Sequence, residues 1–303
     1  MCGHVVHARY PLHGLPVCEA TAGPLGTILL RPGDVPRSLD GGVVVETGIE
    51  IAGRDTLIRV RDRGRILVRD GCEIIVDAEG AERDLQPFIL GSALGAVFLQ
   101  NDLLPLHASA VFRGAEAIAF AGHSGAGKST MAAAMAAAGY AQLTDDLSVV
   151  ETAIGHAPII HPGVPTLKLW HDSADAVGLD ARNATPELSW AEKLHFMPPL
   201  RETPAVKRLA AIYFLEVADT PDAAIEPLSG PHAVAALACE IYRRSWLMQT
   251  GKLDARLQDV ARLARGAPCF RLRRPHRFDM LPRLVEMLAA HRYALGRMGE
   301  GQS

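Results

Sequence analysis

The chain has 303 residues, enough for two domains or for one large domain with an appendage. Hydrophobic residues make up 49% and charged residues 21%, which excludes a disordered chain, a collagen-like repeat and a disulfide miniprotein. With 31 Lys/Arg against 34 Asp/Glu the formal net charge is -3, so nothing global points to nucleic acid or to an anionic membrane surface.

The first residues, MCGHVVHARYPLHG, hold no apolar signal core and no Gly at position 2 for myristoylation. Five cysteines (Cys2, Cys18, Cys72, Cys239, Cys269) are scattered and never form a CxxC pair. That distribution fits a reducing compartment without a zinc ribbon or a disulfide framework. The apolar run from Phe88 to Leu99 is broken by Gly91, Ser92 and Gly95, and falls short of the roughly 20 residues that span a bilayer. A soluble, cytoplasmic protein is expected.

Residues up to about 83 read as β-rich. The runs GTILLR, GVVVET, TLIRVR, RILVRD and CEIIVD are separated by turn material, and Arg69-Asp70-Gly71-Cys72 is the clearest hairpin signal. Residues 86–101 have helical length and are apolar nearly all round, so a buried helix is predicted. Next come a buried strand at 115–121, an Ala-rich helix at 129–138 and a short strand at 141–144 that ends in Asp145-Asp146. Strand, glycine loop, helix and strand make a βαβ unit and imply a mainly parallel sheet covered by helices. Further on, a strand is predicted at 209–217, with helices from about 231 to 248, 254 to 264 and 278 to 291. The proline-bearing stretch Val164 to Pro204, with Trp170 and Trp190, reads as an excursion rather than a regular layer. The resulting division is a β-rich N-terminal domain over 1–85 and an α/β domain over 86–303.

The motif that decides the class is Gly122-His123-Ser124-Gly125-Ala126-Gly127-Lys128-Ser129, which fits G-x-x-x-x-G-K-[ST]. Glycines let the backbone N–H groups of such a loop converge on phosphate oxygens, and the helix that follows adds the positive end of its dipole. Lys128 then reaches the β- and γ-phosphates, and the Ser129 hydroxyl, followed by Thr130, is placed to ligate Mg²⁺. Because the loop follows an apolar strand and opens an Ala-rich helix, a bound nucleoside triphosphate is expected. No NKxD-type guanine-reading motif is present, and Leu228-Ser229-Gly230-Pro231 matches an ABC-type signature only superficially. The paired carboxylates of Asp145 and Asp146 can divide the labour beside a nucleotide. One takes a proton from an attacking hydroxyl, and the other helps hold Mg²⁺ or its waters.

The segment from Leu106-His107-Ala108-Ser109 through the glycine loop to Asp145-Asp146 resembles the catalytic core of the HPr kinase/phosphorylase family. It is most similar to the divergent HPr-kinase-like proteins that include the lasso-peptide precursor kinases. The resemblance rests on His107, the glycine loop and the Asp pair standing in register, and covers about half the chain. It implies a P-loop kinase core of that type, with a mainly parallel sheet flanked by helices. It also implies Asp146 as the base for an acceptor serine, His107 as the residue that orients or tunes it, Lys128 on the transferring phosphoryl group, Ser129 on Mg²⁺, and Asp145 as a second carboxylate near the metal. The implied activity is ATP- and Mg²⁺-dependent phosphorylation of a serine on a peptide or small protein. The best fit is a lasso-type precursor peptide near its C-terminus, with a homo-oligomer as a possible assembly. A regulatory kinase of a phosphocarrier protein and a non-catalytic ATP-binding sensor are the alternatives.

The bifunctional members carry a Glu-Ile-Arg-Gly-type signature where this chain reads PTLKLW, with Lys168 in place of an Arg and no Glu. Lys193 is the best available cation for their Arg-bearing loop, so a kinase without efficient phosphorylase activity is expected. His123 reads as tolerated within the loop. Trp170 and Trp190 either stack on a ligand or pack in a core or lid. The cluster Arg271, Arg273, Arg274 and Arg277 is either a solvated face or an attractor for an acidic peptide or a carboxyl terminus.

Overall fold

A computed structural model of the protein describes residues 1–15, 17, 20, 22–164, 166–185, 193–197 and 205–300, the side chains of 296–300 excepted. Cys18 and Trp190 lie outside the described residues. No described helix is long and apolar enough to cross a membrane.

The N-terminal region forms a seven-stranded sheet from β1 (His4–Ala8), β2 (Gly26–Pro32), β3 (Val43–Glu46), β4 (Ile49–Ala52), β5 (Asp55–Val60), β6 (Gly64–Arg69) and β7 (Glu73–Ala78). Their order is β1-β2-β7-β6-β5-β4-β3. All five strands expected from sequence are present, and β1 and β4 join them. The hairpin at Asp70-Gly71 joins β6 to β7 with Arg69 opposite Glu73, and both turn residues take positive φ (54° and 70°). β5, β6 and β7 read as continuous apolar runs because both of their faces are covered, whereas Val43 and Val44 of β3 are exposed. Ile66, Val68, Ile74 and Val76 enter one core, while Leu57, Leu67 and Ile75 meet Val35 in a smaller one.

The predicted buried helix spans α1 (Gln86–Phe88), a π-helical turn (Ile89–Ala93) and α2 (Leu94–Gln100). Ile89, Leu94, Val97 and Phe98 pack it on the first sheet. At the π turn and just beyond, the ring of Tyr242 lies against the helix, where a Cβ on Gly95 would sit 2.6 Å from Cε1.

The second sheet contains β8 (Leu104–Leu106), β9 (Ser109–Arg113), β10 (Glu116–Ala121), β11 (Ala141–Thr144), β12 (Ser148–Glu151), β13 (Ile159–Ile160), β16 (Lys207–Val217), β17 (Ala224–Leu228) and β18 (Cys269–Arg274), ordered β11-β9-β10-β16-β13-β12-β8 with β18 between β16 and β17. The expectation of a mainly parallel sheet is corrected: among the described residues of this sheet only β10·β16 and β16·β18 pair in parallel, and the other pairs are antiparallel. The physical reason is β9, which inserts antiparallel between β10 and β11, so the two strands of the expected βαβ unit are not neighbours. The overall class remains mixed α/β.

Helices cover both faces. Ile118, Phe120, Tyr213 and Leu215 point to a layer holding α3 (Lys128–Ala137) and α8 (Leu281–Glu300). Their strand neighbours Ala117, Ala119, Ile212 and Phe214 point to α5 (Gly230–Cys239) and α7 (Leu253–Gly266). The helix expected over 231–248 is broken: α5 ends at Cys239 and α6 (Arg244–Gln249) begins after a non-helical link. Tertiary hydrogen bonds override the helical pattern there, since His107 N–H donates to Glu240 O (2.7 Å) and Tyr242 N–H to Pro105 O (2.9 Å). The excursion at 164–204 contains a small two-stranded sheet, β14 (Leu167–Trp170) with β15 (Lys193–Phe196), and α4 (His171–Ala176).

Candidate functional site

The C-terminal ends of β10 and β18 and the start of the antiparallel β9 meet at one edge of the second sheet, because Ser109 pairs with Phe120. β11, antiparallel to β9 as β10 is, ends at the same edge. Open α/β sheets place ligand crevices at such an edge. The glycine loop leaves β10 there and turns into α3.

Gly127 holds the position before α3 with φ 88°, and the helix has no side-chain cap. The first N–H groups of α3 are therefore not satisfied by a capping side chain and make an anion site with the helix dipole. Lys128 is 7% exposed and folds back across the loop, donating to Gly122 O (2.6 Å) and His123 O (3.2 Å). Burial pushes its ammonium pKa down. The His123 ring is exposed, with Nδ1 2.7 Å from the adjacent Ser124 carbonyl. Ser124, Gly125 and Thr130 line the cleft, while Ala126 is buried beneath the loop.

The two carboxylates lie in different surroundings. Asp145 is 6% exposed and accepts hydrogen bonds from Ser109 Oγ (2.5 Å), Ser129 Oγ (2.7 Å) and the Lys168 N–H (2.8 Å). Burial, aided by the charge of Asp146, still holds its pKa above the usual carboxylate range. Asp146 takes φ 72°, a left-handed conformation that costs most residues about 1 kcal/mol and suits Asp and Asn best among those with a Cβ. Its Oδ1 is 3.1 Å from His107 Nδ1, and its Oδ2 is 3.1 Å from Lys168 Nζ. Burial would raise its pKa, but the His107 hydrogen bond and the Lys168 charge outweigh it and hold the group well below the usual range. Burial would lower the Lys168 pKa, but the charges of Asp146 and Asp145 outweigh it and hold the ammonium above the ordinary lysine range.

His107, Lys128, Ser129, Asp145 and Asp146 are thus brought together from five positions in the chain. A cleft of about 460 Å³ opens beside them, bounded by the glycine loop, Lys168, Trp170 and the segment that follows β18. Trp170 is 44% exposed on its rim, with Lys193 Nζ 5.2 Å from the ring centroid, so it does not pack in a core. A more open groove of about 610 Å³ adjoins the cleft, shares His107, Ser124 and Asp146 with it, and is walled by Glu46, Glu240 and Arg243.

Sequence reasoning missed three residues here. Lys168 was visible only as a departure from a signature, and nothing in its spacing ties it to Asp146. Glu240 lies in the helix break; burial pushes its carboxyl pKa up while Lys128 draws it down. Arg274 belonged to an expected cluster that the structure divides. Arg271 and Arg273 pair with Glu216, Arg277 pairs with Asp279, and Arg274 turns to the opposite face of β18 under the glycine loop. The period-two alternation of CFRLRR carries that signal.

Mg²⁺ keeps several waters and takes one or two carboxylates plus substrate phosphates rather than a protein cage. Ser129 Oγ and Asp145 Oδ1, hard oxygen donors 2.7 Å apart at the mouth of the helix, fit that requirement. Among the described residues there is no cluster of three or more His, Cys, Asp or Glu that would hold a metal alone.

No family model matches the sequence, and no curated protein matches it. Among solved structures the chain is similar to the Hpr(Ser) kinase/phosphatase from Coxiella burnetii, at 9% identity and a TM-score of 0.35, over 63% of this chain and 98% of that one.

Proposed function

We propose that the protein is a P-loop kinase of the HPr-kinase-like type that transfers the γ-phosphoryl group of ATP, with Mg²⁺, to a serine hydroxyl of a peptide or small protein. The observation that carries this reading is the pairing of Asp146 with both His107 and Lys168, 3.1 Å on either side, at the junction of the cleft and the groove. A sensor that only binds nucleotide has no need of a carboxylate held between an imidazole and an ammonium group there.

In this reading the nucleotide lies in the cleft with its phosphates on the loop and on the α3 N-terminus. The acceptor approaches from the groove. Its Oγ forms a bond to the γ-phosphorus as the bond to the ADP oxygen breaks, and the hydroxyl proton passes to Asp146. The depressed pKa makes Asp146 a weak base that is ionised at neutral pH, which suits a loose transition state in which the proton moves late. His107 fixes the orientation of Oδ1. Lys168 and Lys128, the latter released from the loop carbonyls, offset charge on the transferring group. Ser129 and Asp145 would hold Mg²⁺, which supplies charge neutralisation at the phosphates when bound.

The acceptor class follows from the resemblance, which favours a lasso-type precursor peptide modified near its C-terminus. Intact-mass spectrometry of serine peptides encoded beside the gene, incubated with the protein, ATP and Mg²⁺, tests it. The expected result is a mass gain of one phosphate that is lost with Asp146→Asn. Nucleotide binding with no transfer to any peptide or to a phosphocarrier protein refutes it.

A further inference from the structure

Arg274 is 6% exposed, yet among the described residues no carboxylate pairs with it. Its Nη2 donates to Ala126 O (2.7 Å) and its Nη1 to Pro275 O (3.2 Å), while the buried Nε has no partner. A guanidinium stays charged, and a buried charge without a counter-ion is costly. Its three cationic neighbours in the sequence all have acidic partners, so the charge left open is the one under the loop. It also lies close against the loop: a Cβ on Gly127 would sit 2.5 Å from Nη2. Four residues further on, Phe278 leaves an apolar ring 40% exposed on the wall of the same cleft, beside Leu281. An exposed ring next to an open cation suits a ligand that is apolar and flat at one end and anionic at the other.

We propose that the segment Arg274 to Phe278 is the second half of the nucleotide site, in which Arg274 contacts the phosphate chain and Phe278 stacks on the base. This rests on the nucleotide-binding part of the reading above and not on the acceptor. The clamp selects nucleoside di- and triphosphates, because an ion pair with the phosphate chain completes the Arg274 guanidinium and a nucleoside alone does not.

Calorimetric titration of the full chain at fixed ionic strength, with MgATP and with tripolyphosphate, tests it without any acceptor. Arg274→Met is expected to weaken both ligands by about 10- to 100-fold, the range of a charge-assisted hydrogen bond. Arg274→Lys restores part of that loss. Phe278→Ala is expected to weaken MgATP by about 3- to 10-fold, the worth of an aromatic stack, and to leave tripolyphosphate unchanged. A structural role for Arg274 predicts the reverse pattern, so the melting temperature of the free protein is the control. Removing an unpaired buried charge leaves it equal or higher. Unchanged tripolyphosphate affinity in Arg274→Met overturns the phosphate contact. A loss of MgATP affinity in Trp170→Ala but not in Phe278→Ala overturns the stacking assignment. A wild-type protein that binds no MgATP instead refutes the nucleotide reading itself.

Discussion

Lys168 holds both adjacent carboxylates at once: its backbone N–H donates to Asp145 Oδ2 at 2.8 Å, and its Nζ lies 3.1 Å from Asp146 Oδ2. One residue of β14 therefore fixes the distance and the relative charge of the pair. Lys168→Met leaves the backbone bond in place and removes the charge. Because the Asp146 pKa is held down in part by that charge, its loss moves the pKa upward. A carboxylate that must be ionised then loses activity at a higher pH than before. The acid limb of the kcat–pH profile, measured with an identified acceptor, is expected to shift upward, and kcat at neutral pH to fall by about 10²-fold, as for loss of one electrostatic stabiliser.

Asp146→Asn keeps a residue that tolerates φ 72° and removes the proton acceptor together with the charge that pairs with Lys168. Transfer is expected to fall by about 10²- to 10⁴-fold, the range of general-base catalysis, with MgATP affinity unchanged. Single-turnover assays and calorimetry separate the two quantities. Equal losses in both would mean that Asp146 acts on the nucleotide and not on the acceptor.

Asp145→Asn is expected to stabilise the protein while impairing its use of Mg²⁺. The folded-state pKa of Asp145 lies above its unfolded value, chiefly through burial. Folding is then favoured most at low pH, where the group is protonated in both states, and the advantage is lost as pH rises through the folded pKa. At neutral pH the neutral amide removes that penalty, and the hydroxyls of Ser109 and Ser129 can rotate to accept from it. The melting temperature should rise by a few degrees at pH 7 and the difference should vanish below about pH 4. The Mg²⁺ concentration for half-maximal activity should increase. A lower melting temperature at pH 7 would show that the three hydrogen bonds outweigh burial.

Two glycines of the loop should respond differently to Ala. A Cβ on Gly125 meets nothing within 4 Å, so Gly125→Ala carries only the strain of φ 83°, about 1–2 kcal/mol. A Cβ on Gly127 meets Arg274 Nη2 at 2.5 Å as well as φ 88°, so Gly127→Ala should be the more destabilising and should weaken MgATP more. Thermal unfolding of the two variants with and without MgATP gives the comparison.

Most of the site's frame was legible because its signals are local. The spacing of the glycine loop, the apolar strand before it and the Asp pair after β11 are short-range patterns, and β11 is found at the four residues expected. What was not legible depends on tertiary contacts. The 231–248 stretch has helical composition, yet the chain breaks at Glu240 to Arg243 because His107 and Tyr242 bond across it, and Arg243 takes φ 55°. Ser109 gave no signal as a partner of Asp145, since the two meet only when β9 inserts between β10 and β11. β18 was read as a cation cluster because its alternation spans only six residues, too few to separate from a charged surface run.

The positive φ at Asp146 also narrows what evolution can place there. Of the residues comfortable in that conformation, Gly and Asn have no charge, so Asp alone satisfies both the backbone and the chemistry. Glu, the usual conservative exchange, would strain the backbone and carry its carboxylate one methylene further towards His107 and Lys168. On the proposed reading, a lineage that abandons transfer would have an easy exit through Asn, with the fold intact and nucleotide binding kept. Relatives that keep every feature of this cleft but carry Asn at this one position would therefore be expected as silent binders.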